Sequence, residues 1–168
     1  MKPKTVGRVM SGQSSPTHAQ NLCHGIPVGV PVLTADGALP VEFLTPGDRV
    51  VTRNGGLVAL DDVQSDTIST RGIKFAAGCF GRASPESPVV LPNDQPVLLR
   101  DHHAQARTGQ NQMMTLAGLL VDDAEITDIG PRRMTVFRLV FERPRVIYVA
   151  GLELGTAADL SDWSRRAA

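Results

Sequence analysis

Aromatic residues are scarce in this chain, with one Trp, one Tyr and five Phe among 168 residues. That poverty leaves no obvious aromatic anchor for a protein partner. Only two cysteines occur, Cys23 and Cys79. One bridge between them is conceivable and a reduced thiol pair is equally consistent, but two cysteines do not make a disulfide framework. Charge of either sign is also not in excess. Seventeen Lys and Arg balance seventeen Asp and Glu, so no electrostatic grip on nucleic acid or an anionic membrane is expected. No apolar run approaches the roughly 18 residues that span a bilayer. Lys2, Lys4 and Arg8 make the N-terminus basic, yet residues 11–21 are polar. No signal-peptide core is therefore expected. The default expectation is a cytoplasmic location, with secretion by a non-classical route as the alternative.

Glycine and proline, in contrast, are plentiful at sixteen and twelve. They point to many turns and short elements rather than long helices. Hydrophobic content of 42% suits one soluble domain with a core. Residues 1–22 carry Ser, Gln, Gly, Pro and Thr without apolar period and are expected to form a flexible N-terminal segment. From Ile26 the texture becomes short apolar runs cut by turn residues. Val30–Thr34 is β-rich and ends at the turn signal Asp36-Gly37. Leu39, Val41 and Phe43 alternate with other residues up to Thr45-Pro46-Gly47-Asp48, another turn. Arg49–Thr52 follows as a strand. The stretches 73–75, 89–91, 96–99 and 146–149 have strand length. Residues 135–142 alternate most clearly. An all-β domain over 23–155 is expected, followed by a short C-terminal helix over 156–168, where Thr156 and Asp159 resemble a capping box. Met113–Leu120 fits either a helical turn or a strand.

Few residues suggest chemistry by themselves. Asp101-His102-His103 is a poor metal cluster, because adjacent side chains diverge on regular structure. It is expected to be a solvated loop between strands. Asp122, Asp123, Glu125 and Asp128 lack the spacing of a calcium loop and suit a solvated turn. Cys79, between Gly78 and Phe80, suits a small core residue. No metal or cofactor is expected.

The order of the pieces resembles the bacterial Hint (hedgehog/intein) domain family. That family opens with Cys-Phe-Thr-Pro-Gly-Thr, then a strand, a turn and Pro-Val-Glu-x-Leu-x-Pro-Gly-Asp-x-Val. Here Pro40-Val41-Glu42-Phe43-Leu44-Thr45-Pro46-Gly47-Asp48-Arg49-Val50 matches at every fixed position. Ile73–Gly81 is similar to a second block, Val-Arg-Ile-x-Ala-Gly-Ala-Leu-Gly. Continuing without a gap puts the family's Ser-Pro-x-His onto Pro92–Gln95, with its His at Gln95; anchoring its proline on Pro92 instead puts Asp94 in that place, and His is absent either way. Met134–Gly151 is similar to the closing hairpin, which carries two His and ends in Ala-Asn-Gly.

The resemblance implies a Hint-type β-fold and, in intact members, self-cleavage. A first-residue thiol attacks the carbonyl before it, a His protonates the departing nitrogen, a second nucleophile resolves the thioester, and an Asn cyclises in inteins. On this chain the corresponding positions hold Gly25, Gln95, Arg138, Pro144 and Ala150. Gly25 offers no nucleophile, Gln95 cannot relay a proton near neutral pH, and Arg138 stays charged. Loss of acid–base catalysis alone costs about 10²–10⁴-fold, and loss of the nucleophile removes the pathway. The expectation is a degenerate, non-catalytic member that serves as a binding or structural module with a protein partner. The alternative is an autoproteolytic, splicing-type domain with Cys23 as a displaced nucleophile and His24 as its neighbouring base. A third class, a phage-like or secretion-associated β-domain acting through its sheet edges, would lack the Hint fold.

Overall fold

The computed structural model describes residues 23–157 and 160. Twelve strands and one helix follow in order: β1 (Ile26–Pro27), β2 (Pro31–Thr34), β3 (Gly37–Pro40), β4 (Arg49–Thr52), β5 (Gly56–Ala59), β6 (Asp62–Phe75), β7 (Val89–Pro92), β8 (Pro96–Arg100), α1 (Asp101–Thr108), β9 (Gln112–Leu116), β10 (Ile126–Val140), β11 (Val146–Val149) and β12 (Leu152–Gly155). Two antiparallel sheets result. One has the order β1-β10-β6-β7; the other runs β3-β2-β4-β11-β12-β8-β9, with β5 on β4. The all-β, Hint-type architecture expected from the sequence is thus present.

Turn chemistry sets much of this layout. Gly37, at φ +101, lets the chain reverse between β2 and β3, which pair from Pro31↔Pro40 to Thr34↔Gly37. The Asp48 carboxylate accepts the Thr45 amide at 2.8 Å, closing the Thr45–Asp48 turn before β4. Buried side chains alternate along the strands, as with Val50 and Thr52 against exposed Arg49. They meet in one main core that includes Val32, Val50, Phe75, Leu91, Val97, Ile147 and Leu154. Ile68, Met134 and Val136 form a smaller cluster, against which Cys23 and Val90 pack.

Several local expectations change. The loop expected at Asp101–His103 is the first turn of α1. Ala104–Arg107 are good helix formers, and Gly109 ends the helix in the left-handed region at φ 72, its N–H donating to Gln105 O. The alternation through Val41 and Phe43 is not strand, because β3 stops at Pro40 and Val41–Phe43 makes a 3-10 turn. The ambiguous segment 113–120 divides into β9 and a 3-10 turn over Ala117–Leu120. Of the expected C-terminal helix, residues 158–159 and 161–168 lie outside the described residues, as does the N-terminal segment 1–22. Within them, Thr156 extends the β11–β12 ladder: its N–H donates to Arg145 O at 3.0 Å and its hydroxyl accepts the Arg145 N–H at 2.9 Å.

Candidate functional site

Gln95 follows the tight turn between β7 and β8, with its amide donating to Pro92 O at 3.1 Å. That turn aims the side chain inward, where it is 1% exposed. A buried carboxamide must find partners on both ends. Its Oε1 accepts the Gly25 N–H at 3.0 Å. Its Nε2 donates to Gly155 O at 2.9 Å and to its neighbour Pro96 O at 3.1 Å. One side chain therefore ties the entry to β1 and the end of β12 to the start of β8.

Gly25 is held close on the other side. Its φ is +139, and a Cβ placed there would lie 2.9 Å from both Cβ and Cγ2 of Val136. Real Cβ atoms do not approach so closely, and L side chains avoid that backbone conformation. Only glycine fits without movement of β10. The neighbouring His24, Gly25, Gln95, Arg138 and Gly155 enclose about 10 Å³ of space, room for one water at most.

Arg138 comes from β10, opposite Gln64 of β6. Its Nη2 donates to Asp66 at 2.9 Å, while its Nε is buried without a partner among the described residues. A shallower hollow of about 250 Å³ lies outside, between His24, Gln64, Arg138, Glu142, Pro144 and Thr156. The structure thus brings Gly25, Gln95 and Arg138 together, with Pro144 at the outer rim. Ala150 is elsewhere. It and Gly151 have φ +50 and +84 and form the two-residue turn that joins β11 to β12, a geometry that favours Asn or Gly. β12 separates this turn from Gly155 by about 15 Å at strand rise. Ala150 is thus a turn residue and does not line the cavity around Gly25.

Cys23 does not line the cavity around Gly25. Its N–H donates to Asp94 Oδ2 at 3.0 Å, and its Sγ stands 3.8 Å from Ser69 O, over the Ile68–Met134 cluster. Cys79 is the buried residue expected, and burial first, then the Glu125 charge, pushes its thiol up to about 11. The groups that sequence reading misses are Val136 and the Gly155 carbonyl. The last is a backbone atom and leaves no trace in residue type.

Comparison with known proteins agrees with this fold. The family model described as the Hint domain matches residues 27–159. The chain belongs to the Hint-domain family. Among solved structures it is similar to a bacterial intein-like domain from Clostridium thermocellum, at 14% identity and TM-score 0.54, covering 79% of this chain and 97% of that one. A variant of the gp41-1 intein matches at 12% identity and TM-score 0.50, covering 78% and 98%. Identities this low speak for the fold alone. No curated protein matches the sequence.

Proposed function

We propose that this chain is a Hint domain that neither cleaves nor splices, and that it works as a binding or structural module. The observation that carries this reading is the Gln95 carboxamide, which accepts the Gly25 N–H where a self-cleaving member would need a proton donor to the same nitrogen. Gln95 cannot supply that proton. Gly25 carries no attacking atom, and Val136 fills the space a side chain would use. The peptide bond between His24 and Gly25 is accordingly held and left intact. Arg138, paired with Asp66, contributes a fixed charge and no base. Residues upstream of Gly25 stay covalently joined to the β-domain.

The test is a reporter fused ahead of Cys23, incubated with and without a strong thiol. A single full-length product is expected under both conditions. Thiol-dependent release of the reporter that disappears in Cys23→Ala would replace this reading with autoprocessing through Cys23.

A further inference from the structure

The turn between β4 and β5 carries reactive groups that the Gly25 cleft does not use. Thr52 pairs with Gly56 across it, which leaves Arg53, Asn54 and Gly55 as a three-residue loop. Asn54 and Gly55 are both exposed. Asparagine followed by glycine is common in short hairpins because few residues meet their backbone geometry. The pair also has a chemical consequence. The side-chain carbonyl carbon of an asparagine lies one five-membered ring away from the next backbone nitrogen, so attack between them is intramolecular and geometry sets its rate. A hydrogen bond that occupies the N–H, a bond that pins the side-chain amide, or a following side chain that crowds the approach each prevents it.

None of these restraints operates at Asn54. Among the described residues the Gly55 N–H has no acceptor and the Asn54 carboxamide makes no hydrogen bond. Gly55 brings no side chain. The other described asparagines differ on each count. Asn93 Nδ2 donates to Asp94 Oδ1 at 2.9 Å, and Asn111 Oδ1 accepts from Gln105 Nε2 at 2.7 Å. They are followed by Asp94 and Gln112, not by glycine. A cation also stands against the turn, since a Cβ built on Gly55 would lie 2.7 Å from Nη1 of Arg145. Arg145 joins no ion pair among the described residues. A positive charge in that place favours loss of the Gly55 amide proton.

We propose that the folded β4–β5 turn is a self-modification site, at which Asn54 converts to aspartate and isoaspartate through a cyclic imide with Gly55. Hydroxide takes the Gly55 amide proton, the nitrogen bonds to Asn54 Cγ, and the Cγ–Nδ2 bond breaks; Nδ2 leaves as ammonia after taking a proton from water. Water then opens the ring. Opening at Cγ gives aspartate, and opening at the main-chain carbonyl gives isoaspartate, with an additional carbon in the backbone. β5 pairs with β4 alone, so a lengthened turn acts directly on the register of an edge strand. The chain is not cut, and the reaction does not depend on whether the domain cleaves at Gly25.

The test is incubation of the full chain at mildly alkaline pH, folded and in urea, then digestion in heavy-oxygen water and tandem mass spectrometry with electron-transfer fragmentation. The heavy label marks any conversion that occurs during digestion. In the folded chain Asn54 is expected to exchange NH2 for OH, to appear as both isomers, and to convert about tenfold or more faster than Asn93 and Asn111. Asn54→Gln, whose ring would need six members, should abolish conversion at that position. Arg145→Gln should slow it about threefold or more, and conversion at the parental rate would overturn the role of the arginine. A folded chain in which Asn54 converts about tenfold more slowly than in urea, or no faster than Asn93 and Asn111, would overturn the proposal.

Discussion

Replacing Gln95 by Ala tests the architecture of the refilled cleft. The substitution removes the acceptor of the Gly25 N–H and the donors to Gly155 O and Pro96 O. Gln95 is 1% exposed, so water does not readily replace them. Each buried group left unpaired costs about 1–3 kcal/mol, and the vacated volume adds a cavity cost. Partial relaxation brings the sum to about 3–5 kcal/mol. At about 3 °C per kcal/mol for a chain of this size, the midpoint of thermal unfolding should fall by about 10–15 °C. Gln95→Glu refines the test without changing size. One carboxyl oxygen can still accept from Gly25, but the other faces two carbonyl oxygens and must carry a proton to fit. Its folded pKa is then raised above the unfolded value of about 4.3. The variant should approach parental stability below that pH and lose stability as pH rises through the folded value. Circular dichroism melts from pH 3.5 to 8 read both effects. A Gln95→Ala midpoint within about 3 °C of the parent, or a pH-independent deficit in Gln95→Glu, refutes the staple.

Other expectations concern the same frame. Gly25→Ala drives a Cβ against Val136 at a φ that L residues avoid, and should cost about 2–4 kcal/mol in denaturant unfolding. The double variant with Val136→Ala should recover part of that loss, and a single variant as stable as the parent would show the contact to be soft. Gln95→His supplies an imidazole but no nucleophile, so mass spectrometry should still find one uncleaved species. The Asp122 carboxylate accepts the N–H groups of Ile126, Ala124 and Glu125, and these bonds hold its pKa below the usual range. Its contribution is present above the unfolded pKa near 3.9 and fades as pH falls through the depressed folded value. Asp122→Ala should therefore cost about 1 kcal/mol at neutral pH and progressively less in acid, as melts at both pH values would show. Cys79, with its thiol pushed up to about 11, should resist alkylation at pH 8 until the chain unfolds; peptide mapping that finds it modified in the native state contradicts the burial argument.

The parts of the fold legible in sequence are those where a turn needs particular residues. Asp36-Gly37 and Thr45–Asp48 mark reversals because few residues satisfy their backbone geometry, and the frame through Val50 follows from them. Residues 135–141 are readable because Leu139 and Phe141 are buried in the main core and Phe137 packs against it, all on one face of the strand. β6 was not readable at its full 14 residues, since most of its length is solvent-facing and carries no alternation. α1 buries only Ala104, so no apolar stripe announces a helix. Within the cleft, the proximity of Gly25, Gln95 and Arg138 came from matching blocks in order. The Val136 contact and the Gly155 carbonyl did not, because they arise from how β10 and β12 close over β1 in three dimensions. Position 150 is matched in sequence only through the family's Ala-Asn-Gly, and the structure adds that Ala150 and Gly151 form the β11–β12 turn.

The central proposal is that neither Gly25 nor Gln95, the pair joined by the hydrogen bond at the His24–Gly25 peptide, can attack that bond or protonate its nitrogen. Intact-mass measurement of the purified chain over a prolonged incubation with excess thiol addresses this directly. A single unchanged mass is predicted at every time point. Appearance of a fragment beginning at Gly25, with its N-terminal complement, would contradict the account.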